Sequence, residues 1–275
     1  MTTEQQQPTN RTAREVELLW GFDRPAPRRG PRPKLSREAV VDAAVAVADA
    51  EGLEAVSMQR VAGELGYTTM SLYRHVDSKE DMLVLMSDRA MDGAPPEPCA
   101  DRAWRAGVEE WVHRVMEVYR RHPWAIRLTL SGPPAGPNGL RWMEAGLREI
   151  VRSGLDVGSS LQMLAMLSSL VRDTLRLEGD MARAAREAGS TMADAERDYS
   201  VGLRRVVTAE DYPTIALMLE SAVLEDQPPP GEPDRLGGPA DELDFSIHRV
   251  LDGIEVYVER VRAGERPDGG DVPAG

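Results

Sequence analysis

The chain has 275 residues, of which 41% are hydrophobic and 29% charged, and its formal net charge is −13. These values describe a globular protein with a real core and room for about two domains. The polar N-terminus shows no apolar signal segment, and no run of about 18 apolar residues occurs, so we expect a cytoplasmic protein without a membrane span. The single cysteine, Cys99, excludes a disulfide within the chain and disfavours a cysteine-based zinc site.

The first 34 residues are predicted to form a flexible, basic N-terminal arm. Between Arg24 and Arg37 the sequence RPAPRRGPRPKLSR holds six basic residues and no acid, whereas acidic residues gather toward the C-terminus. Ahead of it, the stretch Ala13–Trp20 has apolar spacing that favours a helical turn or two. A basic arm on an acidic protein suits contact with DNA phosphates or the minor groove, although a solvated linker explains it equally well. The arm residues expected at DNA are Arg28, Arg29, Arg32 and Lys34.

Residues 57–76 (SMQRVAGELGYTTMSLYRHV) have the pattern of two short helices joined by a tight turn. The first helix is predicted over Ser57–Leu65 and the second over Thr69–His75. Gly66 lies between them, where a helix must stop and where a positive φ carries no Cβ penalty. The apolar residues spaced to face one another across the turn are Val61, Ala62, Leu65, Leu72 and Val76. This is the layout of a DNA-binding helix-turn-helix.

Two further helices flank this pair, and the first of them completes a three-helix N-terminal head. One begins after Ser36, whose hydroxyl is a good N-cap, and ends at Gly52. Another begins after Ser78 with a pattern similar to a capping box and continues to about Met91. The sequence therefore predicts a helix-turn-helix DNA-binding domain over residues 35–80.

The rest of the chain is predicted to be a larger helical domain, residues 81–264, followed by a loose tail over residues 265–275. Apolar residues recur there at helical spacing, and β-strand patterns are absent. The predicted helices cover residues 101–121, 124–130, 139–153, about 156–177 with a polar helical continuation, 212–224 and about 241–261. Residues 227–240 are predicted to be a disordered Pro/Gly/acid loop. The expected fold class is all-α, with a three-helix head and a larger ligand-binding and dimerisation domain.

This order of parts resembles the TetR family of transcriptional regulators, with a C-terminal domain similar to that of the tetracycline-repressor subgroup. The resemblance rests on residues 35–91, and its core is VAGELGYTTMSLYRHVDSKEDML. The stretches AWRAGVEEWVHRVMEVYRRHPW and FSIHRVLDGIEVYV resemble that subgroup's regulatory domain and final dimerisation helix. The resemblance implies a homodimer held by a four-helix bundle, a double-stranded DNA operator and a small-molecule effector. The helices expected to form the bundle are Leu161–Leu177 and Leu243–Val261.

The resemblance also implies which side chains meet DNA. Met70 suits a thymine methyl, and Lys79 at the start of a helix suits a phosphate, which positions the protein without specifying sequence. Other interpretations stay open: Met70 and Tyr73 as core residues, and His75 as a cap at a helix C-terminus. The implied DNA-binding residues are Gln59, Thr68, Thr69, Met70, Ser71, Tyr73, His75 and Lys79.

A ligand pocket is expected between helices of the C-terminal domain, lined by large or adaptable side chains. Such residues at helical spacing are more often part of a core than of a pocket, so a core position stays open as the alternative for each of them. The candidates are Trp104, Trp111, Tyr119, Trp124, Trp142, Met143, Met163 and Met166. No metal ligand set and no cofactor is predicted, because His113 and His122 lack the spacing for one helix face.

These features together predict a ligand-responsive transcriptional repressor that binds a near-palindromic operator as a homodimer and is released by a small apolar effector. A transcriptional activator, or a DNA-binding protein without an effector, fits the same residues. An enzyme is the remote alternative, because no nucleophile elbow, phosphate-binding glycine loop, HExxH or paired cysteine occurs. No catalytic residue is assigned.

Overall fold

The computed structural model describes residues 7–22, 35–128, 132–221 and 239–264, and every regular element in these ranges is helical, which confirms the all-α class. The helices are α1 (Gln7–Trp20), α2 (Arg37–Glu51), α3 (Met58–Leu65), α4 (Thr69–Tyr73), α5 (Lys79–Ala90), α6 (Trp104–Arg121), α7 (Pro137–Val151), α8 (Val157–Glu187), α9 (Met192–Leu203), α10 (Pro213–Glu220) and α11 (Pro239–Arg262). Short 3-10 helices cover Leu53–Ala55 and Pro123–Arg127. The chain forms two compact units, Met1–Ser169 with Gly253–Gly275, and Leu170–Asp252.

The head has the predicted helices with the predicted caps. The hydroxyls of Ser36, Ser57 and Ser78 accept backbone N–H groups from the first turns of α2, α3 and α5 at 3.2, 3.1 and 3.0 Å. The apolar faces of α2 to α5 share one core, in which Leu72 and Met82 are fully buried. The caps fix where α2, α3 and α5 begin, and the shared core fixes how α2 to α5 pack against one another.

The second helix of the helix-turn-helix is shorter than predicted. It ends at Tyr73 rather than His75, because the N–H of His75 turns back to the Leu72 carbonyl at 2.7 Å and tightens the last turn. The result is a five-residue helix, α4, whose position depends on packing rather than on its own stability.

Part of the predicted N-terminal arm is helical, as the apolar spacing of Ala13–Trp20 indicated. α1 has 14 residues, and the predicted stretch Ala13–Trp20 is its second half. It packs against α5, where Leu18 is 7% exposed and Arg14 Nη2 lies 2.9 Å from Asp81 Oδ2. Burial of Leu18 stabilises the docked helix. The basic stretch 23–34 and the predicted tail 265–275 lie outside the described residues.

α6, α7 and the start of α8 follow the head in the first unit. α6 begins at Trp104, three residues after the predicted start, and the short element after Pro123 is a 3-10 helix. Gly146 on α7 lies where neighbouring helices approach closely, since a Cβ there would come within 2.7 Å of both Trp111 Cε2 and Leu164 Cδ1. The glycine is therefore what lets α6, α7 and the start of α8 pack together.

The second unit contains the polar sequence that was predicted to be helical. α8 extends to Glu187, and α9 is opened by a capping box between Thr191 and Asp194. In α11, Leu243, Ile247 and Leu251 recur at four-residue spacing and are buried. The predicted loop over residues 227–240 lies outside the described residues except for its last two, which begin α11.

None of the described helices combines the length and apolar content that crossing a membrane requires.

Candidate nucleic-acid interface

The helix-turn-helix is built as its sequence requires. Gly66 adopts a left-handed conformation (φ 72°, ψ 28°) at the end of α3, and its N–H bonds back to the Ala62 and Gly63 carbonyls. Val61 and Ala62 on α3 and Leu72 on α4 are buried in the shared core. This packing fixes one face of α4 and turns the opposite face outward.

The outward face of α4 carries the side chains that the sequence placed at DNA. Met70 is 71% exposed and Tyr73 45% exposed, which excludes the alternative that either is a core residue. Thr68 is exposed and Thr69 and Ser71 are half-buried beside them. The hydroxyls of Thr68 and Ser71 lie 3.0 Å apart, so each has a polar partner in the free protein. The face therefore offers methyl, thioether and hydroxyl groups of the kinds that contact base edges.

A charge cluster that sequence reasoning missed is centred on Arg60 of α3. Arg60 donates to Glu51 at 2.5 Å and to Glu64 at 2.8 Å. These two carboxylates raise the pKa of Arg60 above its ordinary value, and the bond from Arg60 lowers the pKa of Glu51. Arg60 is thus paired with two carboxylates, while its neighbour Gln59 is exposed. The i, i+4 spacing of Arg60 and Glu64 was visible in the sequence, but the longer link to Glu51 was not.

The predicted phosphate contacts lie at the end of α4 and the start of α5. Lys79 is the first residue of α5 and is exposed, directly after the Ser78 cap. His75 is half-buried, and its carbonyl accepts the Nε–H of Arg37 at 3.2 Å. The remaining predicted contacts, Arg28, Arg29, Arg32 and Lys34, lie outside the described residues.

The head is joined to α7 by a carboxylate that the sequence analysis did not single out. Asp88 on α5 accepts the N–H groups of Asn138 and Gly139 at 3.1 and 2.8 Å, and the Asn138 amide donates to the Asp88 carbonyl at 3.0 Å. Asp88 therefore caps the N-terminus of α7 from another helix. Burial raises the pKa of Asp88, opposed by the hydrogen bonds from Gly139 and Asn138.

The predicted ligand-binding residues are spread over several environments. Trp111 and Trp142 are both 4% exposed, and their indole N–H groups donate to the carbonyls of Trp142 and Met91 at 2.8 Å each. Trp124 packs in the core of the head and donates to Asp49 at 2.6 Å, which counts against a place for it in a pocket of the C-terminal domain. The other candidates, which are half-buried or exposed, are Trp104, Tyr119, Met143, Met163 and Met166.

A buried carboxylate lies near the other end of α7. The Glu149 side chain is 3% exposed, 3.2 Å from Arg148 and 2.6 Å from Arg152. Those arginines in turn donate to the carbonyls of Pro96 and Ala100, each at 3.1 Å. Glu149 thus orients two cations that hold the segment between α5 and α6.

Among the described residues, no group of three or more His, Cys, Asp or Glu side chains is placed to hold a metal ion.

Comparison with known proteins agrees with this architecture. Residues 40–86 match the model of the bacterial regulatory proteins of the tetR family, and residues 96–258 match that of the tetracyclin repressor-like C-terminal domain. The chain is 38% identical over 256 residues to the HTH-type transcriptional repressor DrrR1 of Streptomyces coeruleorubidus, covering 93% of this chain and 90% of the relative. It is 30% identical over 193 residues to an HTH-type transcriptional regulator of Saccharopolyspora erythraea, covering 70% and 78%.

A solved structure shares the fold. The TetR family protein ActR of Streptomyces coelicolor, in complex with actinorhodin, superposes with a TM-score of 0.66 at 24% identity, covering 82% of this chain and 96% of that one. The two matched regions together span both the head and the helical domain after it. This chain therefore belongs to the tetR family of bacterial transcriptional regulators and carries its DNA-binding helix-turn-helix.

Proposed function

We propose that the protein is a ligand-responsive transcriptional repressor that binds a near-palindromic operator as a homodimer. The observation that carries the proposal is the outward face of α4, where Met70 and Tyr73 are exposed while Leu72 on the opposite side is fully buried. In a helix-turn-helix, that outward face is the one that enters the major groove. The name of DrrR1, a transcriptional repressor, supports repression as the direction of regulation.

The proposed contacts divide into recognition and positioning. Thr68, Thr69 and Met70 would meet base edges, with Gln59 reaching a base from α3. Tyr73 would meet DNA on the same face. The residues proposed to hold the phosphate backbone, and so to fix the register of the protein without reading sequence, are Ser71, His75 and Lys79.

The basic stretch before α2 is proposed to add phosphate or minor-groove contacts. Its residues Arg28, Arg29, Arg32 and Lys34 lie in sequence between Trp20, which ends α1, and Arg37, which begins α2. α1 packs against α5, and α2 contributes to the core of the head. The stretch would then supply charge that the acidic protein otherwise lacks near DNA.

Dimerisation is proposed through α8 and α11. Within the first unit, α8 exposes Val157 (63%) and Leu161 (44%), and α11 exposes Val256 (48%) and Val261 (44%). Large apolar side chains exposed on two helices are the kind of surface that a second copy covers. A two-fold pair would place its two α4 helices about 34–36 Å apart, which matches successive major grooves.

The effector is proposed to be a small apolar molecule bound in the helical domain after the head. Trp104, Tyr119 and Met143 are half-buried, so part of each large apolar side chain is accessible to a ligand. ActR has been solved with actinorhodin, which supports ligand binding in a protein of this fold. Effector and operator would weaken each other by the same factor, because coupling between two binding sites is reciprocal.

Titration of fluorescent duplexes with the pure protein tests the DNA-binding part. The probe is the DNA upstream of the protein's own gene, and the control is a shuffled duplex of the same length and composition. We expect preference for the upstream DNA and two protomers per duplex by sedimentation. Equal binding to both duplexes would remove the support for an operator there, and one protomer per duplex would contradict the homodimer.

A reporter gene behind the same upstream DNA tests the direction of regulation. Expression of the protein should lower reporter output if it represses. A rise in output would establish the activator alternative instead. Addition of candidate small molecules to the titration should then release the DNA, and a protein insensitive to every compound in a broad apolar library would favour the alternative without an effector.

A further inference from the structure

The side chain of Arg37 links the end of α4 to the end of α1. Arg37, the first residue of α2, donates from Nε to the His75 carbonyl at 3.2 Å and from Nη1 to the Leu18 carbonyl at 3.0 Å. His75 lies two residues after α4, and Leu18 lies in the last turn of α1. One guanidinium therefore bridges two chain segments that are far apart in sequence.

This bridge matters because α4 cannot hold its own position. A helix of five residues is far below the length of about 12 to 15 residues at which isolated helices become even marginally stable. Its beginning is set by the turn after Gly66 and its middle by Leu72, which is fully buried. Carbonyls at the end of a helix have no partner within the helix, so an outside donor there restrains the last turn.

The other end of the bridge is firmly held. α1 packs along α5, Leu18 is 7% exposed, and Arg14 pairs with Asp81 at 2.9 Å. At the end of α1, the Trp20 indole donates to the Ala135 carbonyl at 2.9 Å. The Leu18 carbonyl is therefore a fixed acceptor, and Arg37 transmits that fixed position to the exit of α4.

We propose that Arg37 is a positioning residue for DNA recognition, which fixes the exit of α4 by joining it to the docked helix α1. The proposal rests on DNA binding by the outward face of α4. It assigns Arg37 no contact with a base, because its forked N–H groups are directed at two backbone carbonyls. A guanidinium suits this task and an ammonium does not, since only the planar fork reaches two acceptors in fixed directions.

Substitution at Arg37 in the full-length protein tests the proposal. Arg37→Lys keeps the charge and removes the fork, whereas Arg37→Gln removes both. The matched control is Arg114→Lys, an exposed arginine on α6 that pairs with Glu110. Binding to operator DNA and to a shuffled duplex is measured over a range of salt concentrations, with the competent fraction of each protein determined by stoichiometric titration.

We expect both Arg37 variants to lose about tenfold in operator affinity, the effect of roughly one charged hydrogen bond, while Arg114→Lys matches the wild type. Binding to the shuffled duplex and the salt dependence of Arg37→Lys should stay at wild-type values. Hydrogen exchange of Arg37→Lys should quicken in peptides from both α4 and α1, because the two segments lose their shared tie.

Three outcomes would overturn the proposal. If Arg37→Lys binds like the wild type while Arg37→Gln weakens both duplexes and lowers the salt slope by about one, Arg37 is a phosphate contact. If affinity per competent molecule is unchanged and only thermal stability falls, the role is structural. If neither variant differs from the wild type, the bridge does not matter for DNA. Failure of the wild type itself to prefer the operator would instead count against the proposed function.

Discussion

The carboxylate of Asp88 on α5 accepts the backbone N–H of Gly139 on α7 at 2.8 Å. This bond lets the last helix of the head cap the first turn of a helix in the regulatory domain. Gly136, the residue before α7, has no side chain with which to cap it, and a Cβ there would collide with the Asp88 side chain. The glycine and the carboxylate therefore depend on each other, and the hydrogen bonds of Asp88 help to join α5 to α7.

Asp88→Asn tests the electrostatics of this junction. Because burial raises the pKa of Asp88 in the folded protein, the folded state holds its proton more tightly than the unfolded state. The unfolding free energy contributed by Asp88 is therefore greatest below its unfolded pKa of about 3.9 and falls as pH rises through the raised folded pKa. The asparagine keeps an acceptor for the Gly139 N–H and does not titrate.

The unfolding free energy of Asp88→Asn relative to the wild type should consequently increase from about pH 4 toward neutral pH. Urea denaturation at a series of pH values measures this difference. A difference that stays constant with pH, or that becomes less favourable to the variant as pH rises, would contradict the raised pKa.

Substitution of the proposed DNA contacts should reduce DNA affinity in two different ways. Thr69→Ala should cost about 1–3 kcal/mol of operator affinity for a lost base contact, with binding to shuffled DNA unchanged. Lys79→Gln should weaken operator and shuffled DNA alike and lower the slope of log affinity against log salt by about one. Anisotropy titrations at several salt concentrations distinguish them. A loss at Lys79 confined to the operator would mean that Lys79 reads sequence.

Glu149→Ala should destabilise the protein by about 3 kcal/mol, because Arg148 and Arg152 lose the carboxylate that pairs with them. Both arginines are partly exposed, so water recovers some of that cost. Glu144→Ala, an exposed acid on the same helix, is the matched control and should change stability little. Equal urea midpoints for the two variants would show that the Glu149 cluster does not stabilise the fold.

Two glycine-to-alanine substitutions should change the stability of the protein in opposite directions. Gly146→Ala places a Cβ 2.7 Å from atoms of Trp111 and Leu164, so overpacking should cost about 1–3 kcal/mol. Gly63→Ala lies within α3 with no atom near its Cβ, so the gain in helix propensity should stabilise the protein by up to about 1 kcal/mol. Thermal unfolding of both variants measures the contrast, and a stabilising Gly146→Ala would show that α6, α7 and α8 are less tightly packed there.

Local sequence determined much of this protein. Ser57, Gly66 and the apolar positions around Leu72 predicted the helix-turn-helix, because caps, glycine turns and helical periodicity act over a few residues. The same periodicity left Met70 and Tyr73 on the outward face, where the structure has them. These features are encoded within one or two turns of helix, so they are readable without knowledge of distant contacts.

Only the tertiary structure decided how the parts are joined. Arg37 meets carbonyls 19 residues before it and 38 after it, and Asp88 caps a helix that begins about 50 residues later. No periodic pattern marks such bonds, since each joins a side chain to a backbone group that every residue possesses. The docking of α1 was missed for the same reason: a short apolar stretch becomes an ordered helix when a partner surface buries it, and that surface belongs to α5.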